Sequence, residues 1–388
     1  MSRRGAAVML AIGATSLAAA GATLISAAVA SAAIARKVVT PDRRKRQDLR
    51  ILQVAHDCSS VTLARSLDAS VPGRYGMFFS DESGYARLGA VLSEGADHVV
   101  RAVDRVAYGD LRTAVRGRLS GWYFLSPEEV GVPVESVSIP AEGGDAPAWL
   151  FPAAEANACW AIHVHGRGVR RQECLRAIPV FHRAGYHSLV VSYRNDGDAP
   201  ESPDGRYGLG STEWHDVEAA IEYAIEHGAA SIVLMGWSMG GAIVLQAASR
   251  SEHAGAIAGI VLDSPVVDWI PTLIYQAGAM RLPDAVTRGA LHLIDAPWGG
   301  RITGQSAPVG LAGLDFVARA DELSRPLLLM HSDDDGYVPP DASRELAERR
   351  PDIVTFVPFK VARHTKLWNY DEPRWTNAIT DWLERLGE

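Results

Sequence analysis

The sequence predicts an α/β protein: a doubly wound, mostly parallel sheet over residues 135–388, behind an N-terminal segment and a small β-rich domain. Two observations carry this. From Glu135 onward, short apolar runs alternate with amphipathic stretches of helical length. The runs are also near-continuous in Val, Ile and Leu, the pattern of strands buried on both faces of a parallel sheet.

The first 37 residues stand apart. Arg3 and Arg4 precede an uncharged run from Gly5 to Ala35, closed by Arg36 and Lys37. A bilayer core takes about 20 apolar residues, so the run reads as a membrane anchor. Its alanine richness, the Ala28-Val29-Ala30 tripeptide and the paired arginines leave a cleaved export signal as the alternative. Arg36, Lys37, Arg43, Arg44, Lys45 and Arg46 outnumber the cations upstream. The positive-inside rule then keeps the main domain cytoplasmic. Residues 38–50 read as a basic, solvated linker.

Residues 51–134 read as a small β-rich domain with no assignable role. Its runs VTLARSL (61–67), RYGMFFS (74–80), YARLGAVLS (85–93) and HVVRAV (98–103) are separated by Pro, Gly and Asp punctuation. The third part, residues 135–388, opens with SVSIP (136–140) and PAWLFP (147–152), read as a hairpin-like pair. Buried strands follow at 159–166, 187–194, 231–238, 258–265, 325–332 and 353–360. Residues 211–228, 239–252 and 372–387 are the amphipathic helices between and after them. One connection is too long. An insertion of about 266–324 carries Trp269, Ile270, Leu273, Ile274, Tyr275, Met280, Leu282, Leu291, Leu293, Ile294 and Trp298. It is expected to form an apolar lid over the carboxyl ends of the strands, where open α/β sheets bind ligands.

Chemistry concentrates at those ends. Ser238 in Met-Gly-Trp-Ser-Met-Gly-Gly (235–241) ends one apolar strand and begins a helix. That context makes it a candidate nucleophile lifted on a sharp turn, with Gly236 and Gly240 required where strand and helix approach. A serine hydroxyl needs a base and an oriented acid. His364, in the loop after the last strand, is the candidate base. Asp335, before the Gly-Tyr-Val-Pro turn, is the candidate acid, and Asp263 at the end of a neighbouring strand is its rival. A tetrahedral oxyanion needs two N–H donors. Met239 supplies one by position, and the turn His165-Gly166-Arg167-Gly168 supplies the other at Arg167. His165 props that turn, and Gly166 and Gly168 let the backbone come close. The Arg167 side chain reads as solvated, with an anionic substrate group as the other possibility. His163 and His165 lack a third ligand of matching spacing, so no metal is expected.

Gly236-Trp-Ser-Met-Gly240, His165-Gly-Arg-Gly168, Asp335 with Val338-Pro339, and His364-Thr365 resemble the α/β-hydrolase superfamily, in its esterase, lysophospholipase, Bem46-like and prolyl-oligopeptidase- or aminopeptidase-type branch. The resemblance covers roughly 135–388 and implies an α/β-hydrolase sheet, an acyl-enzyme and no cofactor. Two positions depart from the family pattern: Ser332 and Arg363 both stand where glycine is frequent. The expected activity is a serine hydrolase acting on a carboxylic ester, and the apolar insertion points the expectation to a lipophilic one. A peptidase or amidase, an acyltransferase, and a non-catalytic membrane-anchored binding protein are the alternatives.

Composition removes other classes. A net charge of −8 leaves no cation excess for nucleic-acid phosphates. Cys58, Cys159 and Cys174 are too few for a disulfide framework and lack zinc spacing. The partners expected are therefore a small acyl ester or peptide substrate and, through the N-terminal segment, a membrane.

Overall fold

The computed structural model describes residues 25–42, 45–155 and 157–387. Residues 1–24 of the expected membrane segment lie outside the described residues. Helix α1 spans residues 25–39. Among the described residues no helix is long and apolar enough to cross a membrane.

The β-rich part is a closed barrel. Strands β1 (Leu49–Val54), β2 (Ser60–Ala64), β3 (Tyr75–Phe79), β4 (Gly84–Glu94), β5 (His98–Tyr108) and β6 (Arg116–Ser120) join in the order β1-β2-β5-β4-β3-β6. Helix α2 (Leu67–Ser70) follows β2. Closure leaves no sheet edge exposed. Leu63, Tyr75, Met77, Leu88 and Val99 fill the interior. Arg101 is fully buried there because carbonyls take up its guanidinium: Val71 at 2.7 Å, Gly73 at 2.6 Å and Gly89 at 2.8 Å. The sequence reading did not foresee β1, which begins inside the expected linker, or β6, whose Arg-Gly-Arg pattern is a poor strand signal.

The second unit is an eight-stranded sheet of order β14-β13-β12-β11-β9-β10-β8-β7. Strands β7 (Glu135–Ala141) and β8 (Gly144–Phe151) form the expected antiparallel pair. Strands β9 (Cys159–Val164), β10 (His187–Val191), β11 (Ser231–Trp237), β12 (Ile257–Asp263), β13 (Leu327–Ser332) and β14 (Val354–Phe359) run parallel. Side chains of β11 alternate between two cores: Ile232 and Leu234 enter one, Val233, Met235 and Trp237 the other. Helices α3 (Ile178–Arg183), α10 (Leu367–Tyr370) and α11 (Glu372–Leu386) cover the second core; α4 (Trp214–Glu226), α5 (Met239–Arg250) and α9 (Asp341–Arg349) cover the first. Strand β14 departs from expectation. It is an edge strand with Thr355 and Pro358 exposed and Val354, Phe356 and Val357 only partly buried, so it is less buried than the inner strands although it contributes to both cores.

The insertion folds as α6 (Trp269–Ala279), α7 (Asp284–Asp295) and α8 (Gly300–Thr303) with short 3₁₀ turns. Trp269, Leu273, Leu293 and Ile294 join the first core, and the Trp269 indole N–H donates to Leu209 O at 2.7 Å. Helix α1 docks on α7. Ser31 Oγ donates to Val286 O at 3.1 Å, Gly289 leaves room for that serine, and Ala35 and Val39 are fully buried. The described part of the expected membrane segment, residues 25–37, thus lies on the protein because its small residues permit close approach.

Candidate active site

Parallel strands point their carboxyl ends the same way, so the loops after β9, β11, β12, β13 and β14 meet at one edge. Ser238 sits between β11 and α5 with φ 51° and ψ −117°, a left-handed conformation that a serine adopts only when its surroundings impose it. Its neighbours explain the glycines. A Cβ on Gly236 would lie 2.4 Å from Gly240 O, and one on Gly240 would lie 2.2 Å from Val164 O. Only glycine lets β9, β11 and α5 come this close.

His364 Nε2 lies 2.9 Å from Ser238 Oγ, and His364 Nδ1 lies 2.7 Å from Asp335 Oδ2. The other carboxylate oxygen, Oδ1, accepts the N–H groups of Tyr337 at 2.8 Å and Val338 at 2.9 Å. Burial pushes the Asp335 carboxyl up, but the facing His364 and His331 outweigh it and hold it well below the usual carboxylate range. Asp335 is therefore an anion at neutral pH, and Nδ1 is the nitrogen that donates to it. His331, which the sequence reading passed over, lies 3.3 Å from Oδ2 and also faces Ser343 Oγ at 2.8 Å.

The rival acid is elsewhere engaged. Asp263 is fully buried and accepts from Trp375 Nε1 and Ser264 Oγ, each at 2.9 Å. Burial raises its pKa. It ties α11 to the end of β12, and His364 turns to Asp335 instead.

The turn after β9 is pressed against the serine. A Cβ on Gly166 would lie 3.3 Å from Ser238 Cβ. Gly166 N donates to Glu173 Oε2 at 2.7 Å and Gly168 N to Asp196 Oδ2 at 2.8 Å. The intervening Arg167 N–H has no partner among the described residues. The Met239 N–H opens α5, where no preceding turn supplies an acceptor. Two N–H groups are thus left beside Ser238. Buried His165 faces Gly166 O through Nδ1 at 2.9 Å and stacks on Tyr193, whose hydroxyl donates to the same carbonyl at 2.8 Å. Burial lowers the His165 pKa, which keeps the ring neutral. His163 points to the opposite face of the sheet, edge-on to Phe181.

Three expectations change here. The Arg167 side chain is not free in solvent: half-buried, its guanidinium donates to Lys37 O, Val38 O and Thr40 O at 3.2, 2.7 and 3.3 Å and lies over Tyr207. The segment 38–50 is not a solvated linker along its length, because Asp42 and Lys45 help line the cavity of about 220 Å³ that holds Ser238 and His364. Gly166, Glu173, Val169, Tyr337 and Thr365 are other walls of that cavity, and no residue of 266–324 is among them. The insertion packs beside the sheet and touches the site through its first residue, where Val266 N donates to Ser238 O at 3.0 Å, and through Gln276 Nε2, which donates to Tyr337 O at 3.3 Å. A cleft of about 1000 Å³ continues outward between Phe78, Arg118 and Trp122 of the barrel and the loops at 168–172 and 195–206. Glu173, Asp196 and Lys45 had no local signature in the sequence.

Residues 161–379, more than half of the chain, match the family model described as alpha/beta hydrolase family, and residues 50–120 match a domain of unknown function, DUF8805. Among curated proteins the chain is similar to human Protein ABHD12B, 26% identical over 196 residues. The match covers 48% of each, so the chain spans about half the length of this relative. Among solved structures, the Pyrococcus furiosus esterase Pf2001 superposes with a TM-score of 0.53 at 18% identity, over 68% of this chain and 94% of the esterase. Est1E from Butyrivibrio proteoclasticus, solved with ferulic acid, gives 0.50 at 17% identity, over 65% and 100%. At such identities the likeness is one of fold. With the family model spanning β9 to α11, the chain belongs to the alpha/beta hydrolase family.

Proposed function

We propose that the protein is a serine hydrolase that cleaves a carboxylic ester through an acyl-enzyme. Ser238 Oγ attacks the acyl carbon while His364 Nε2 takes its proton. The oxyanion accepts the N–H groups of Met239 and Arg167. Collapse expels the alcohol, which receives the proton from Nε2, and water repeats the cycle to release the acid. The supporting observation is the unbroken relay of 2.9 Å from Ser238 to His364 and 2.7 Å from His364 to Asp335, set on a strained serine.

The walls Asp42, Lys45, Glu173 and Thr365 favour a short or polar acyl group, and the apolar insertion behind the lipophilic expectation contributes none of them. A fluorophosphonate probe should label the intact protein, and p-nitrophenyl butyrate should be hydrolysed faster than alanine p-nitroanilide. No labelling would overturn the reading, and preference for the anilide would make the enzyme a peptidase.

Membrane attachment is part of the proposal. Upstream of α1 the uncharged residues 5–24 still match the ~20 residues a bilayer core takes. Protease accessibility in intact cells would distinguish a cytoplasmic catalytic domain from an exported one.

A further inference from the structure

The loop that carries His364 is held by both domains. From the hydrolase side, Arg176 Nη1 donates to Thr365 O at 2.8 Å and to Asn369 Oδ1 at 2.7 Å. From the barrel side, Arg74 N donates to Asn369 O at 3.0 Å, and Asn369 Nδ2 donates to Arg74 O at 2.9 Å and Gly121 O at 3.2 Å. Tyr370 packs on the barrel core.

Arg363 makes the link nearest the chemistry. Its Nε donates to Asp68 Oδ1 in α2 at 3.0 Å, and its Nη1 donates to Asp334 O at 2.9 Å and lies 3.3 Å from Asp334 Oδ1. The guanidinium crosses Gly336, where a Cβ would lie 2.4 Å from Nη2. One planar cation therefore joins the barrel, the residue before the acid and the residue before the base. A crevice of about 370 Å³ separates Leu67, Ser70 and Val71 from Asp334 and Val361.

His364 belongs to no helix or strand, so its position depends on what holds the loop. Proton relays tolerate little misplacement, and an error near 1 Å can cost about 100-fold in rate. We infer that Arg363 is a positioning residue and that the barrel, acting through Asp68, keeps the base in register with Ser238. The barrel is thereby a working half of the active site, which gives the domain of unknown function a role in this chain. The inference rests on the serine-hydrolase reading above.

The geometry also says which replacements should serve. The arginine fork reaches Asp68 and Asp334 at once, whereas a lysine ammonium offers one charge to one site at a time. Arg363→Gln is expected to lower kcat and the second-order rate of fluorophosphonate labelling together, by about 10- to 100-fold, with KM little changed. Arg363→Lys should recover part of the loss. Asp68→Asn, placed in the other domain, should lower both rates by several-fold, and the double variant should be no slower than Arg363→Gln alone, because both remove one linkage. Circular dichroism melts of each variant separate misplacement from unfolding. Wild-type labelling rates in folded Arg363→Gln, additive losses in the double variant, or a loss matched by the unfolded fraction would each overturn the inference. Failure of the intact enzyme to label would instead overturn the serine-hydrolase reading beneath it.

Discussion

Ser238→Ala is expected to abolish fluorophosphonate labelling, and Asp335→Asn to lower ester turnover on the order of 10⁴-fold without displacing the imidazole. The second effect follows from how the carboxylate is occupied. Asp335 Oδ1 accepts two backbone N–H groups, from Tyr337 and Val338. An asparagine must keep its carbonyl oxygen there, because its amide group cannot accept them. The NH₂ then falls where Oδ2 was, facing His364 Nδ1. An N–H aimed at Nδ1 makes that nitrogen the acceptor and moves the ring proton to Nε2. Nε2 can then no longer take a proton from Ser238 Oγ. Asp263→Asn should behave differently. Its oxygen can still accept from Trp375 Nε1, and its carboxylate is bonded to Trp375 and Ser264 and not to His364, so turnover should stay within about 10-fold, with the loss appearing as a lower melting temperature. Steady-state kinetics on p-nitrophenyl butyrate with both variants decides the matter. Full activity in Asp335→Asn, or an equal collapse in Asp263→Asn, would transfer the acid role.

That comparison also marks how far the residues were legible before folding. Ser238 was readable because its signal is local: an apolar strand, a glycine-flanked serine and a helix follow within one short stretch. The two aspartates end adjacent parallel strands, β12 and β13, so their positions along the chain do not separate them. What separates them is Trp375, more than a hundred residues from Asp263, whose indole claims one carboxylate and leaves the other for His364. The insertion shows the same limit. Trp269, Leu273, Leu293 and Ile294 are buried while Ile270, Ile274, Tyr275, Met280 and Trp298 stay exposed, and an apolar composition does not state which residues meet a sheet flank, solvent or a substrate. Residues 25–50 were least legible. An uncharged alanine-rich helix suits a bilayer, yet Ser31 fits beside Gly289 and Ala35 is fully buried against the protein. A run of cations suggests solvent, yet Lys45 turns toward the catalytic cavity, where burial lowers its pKa. Barrel closure by β1 and β6 was missed because Arg116 and Arg118 interrupt the apolar alternation that marks strands, and arginine at a barrel surface costs nothing.

Gly240→Ala should be among the most destabilising single-methyl changes in the molecule, at more than about 3 kcal/mol. The new Cβ would stand 2.2 Å from Val164 O and 2.5 Å from His165 O. Both are backbone atoms of β9 and the turn behind the oxyanion donors, so no flexible side chain can swing aside. Relief requires α5 to move off the sheet, which pulls Met239 away from Arg167 and relaxes the strained turn at Ser238. Stability and acylation should therefore fall together. Gly278→Ala is the matched control. It lies in α6 with nothing within 4 Å of its added Cβ, so the change should stabilise by about 0.5–1 kcal/mol through lower backbone entropy in the unfolded chain. Urea denaturation of the two variants measures both signs. A Gly240→Ala protein as stable and as readily labelled as the wild type would mean that the approach of β9, β11 and α5 is not what holds Ser238 in its strained conformation.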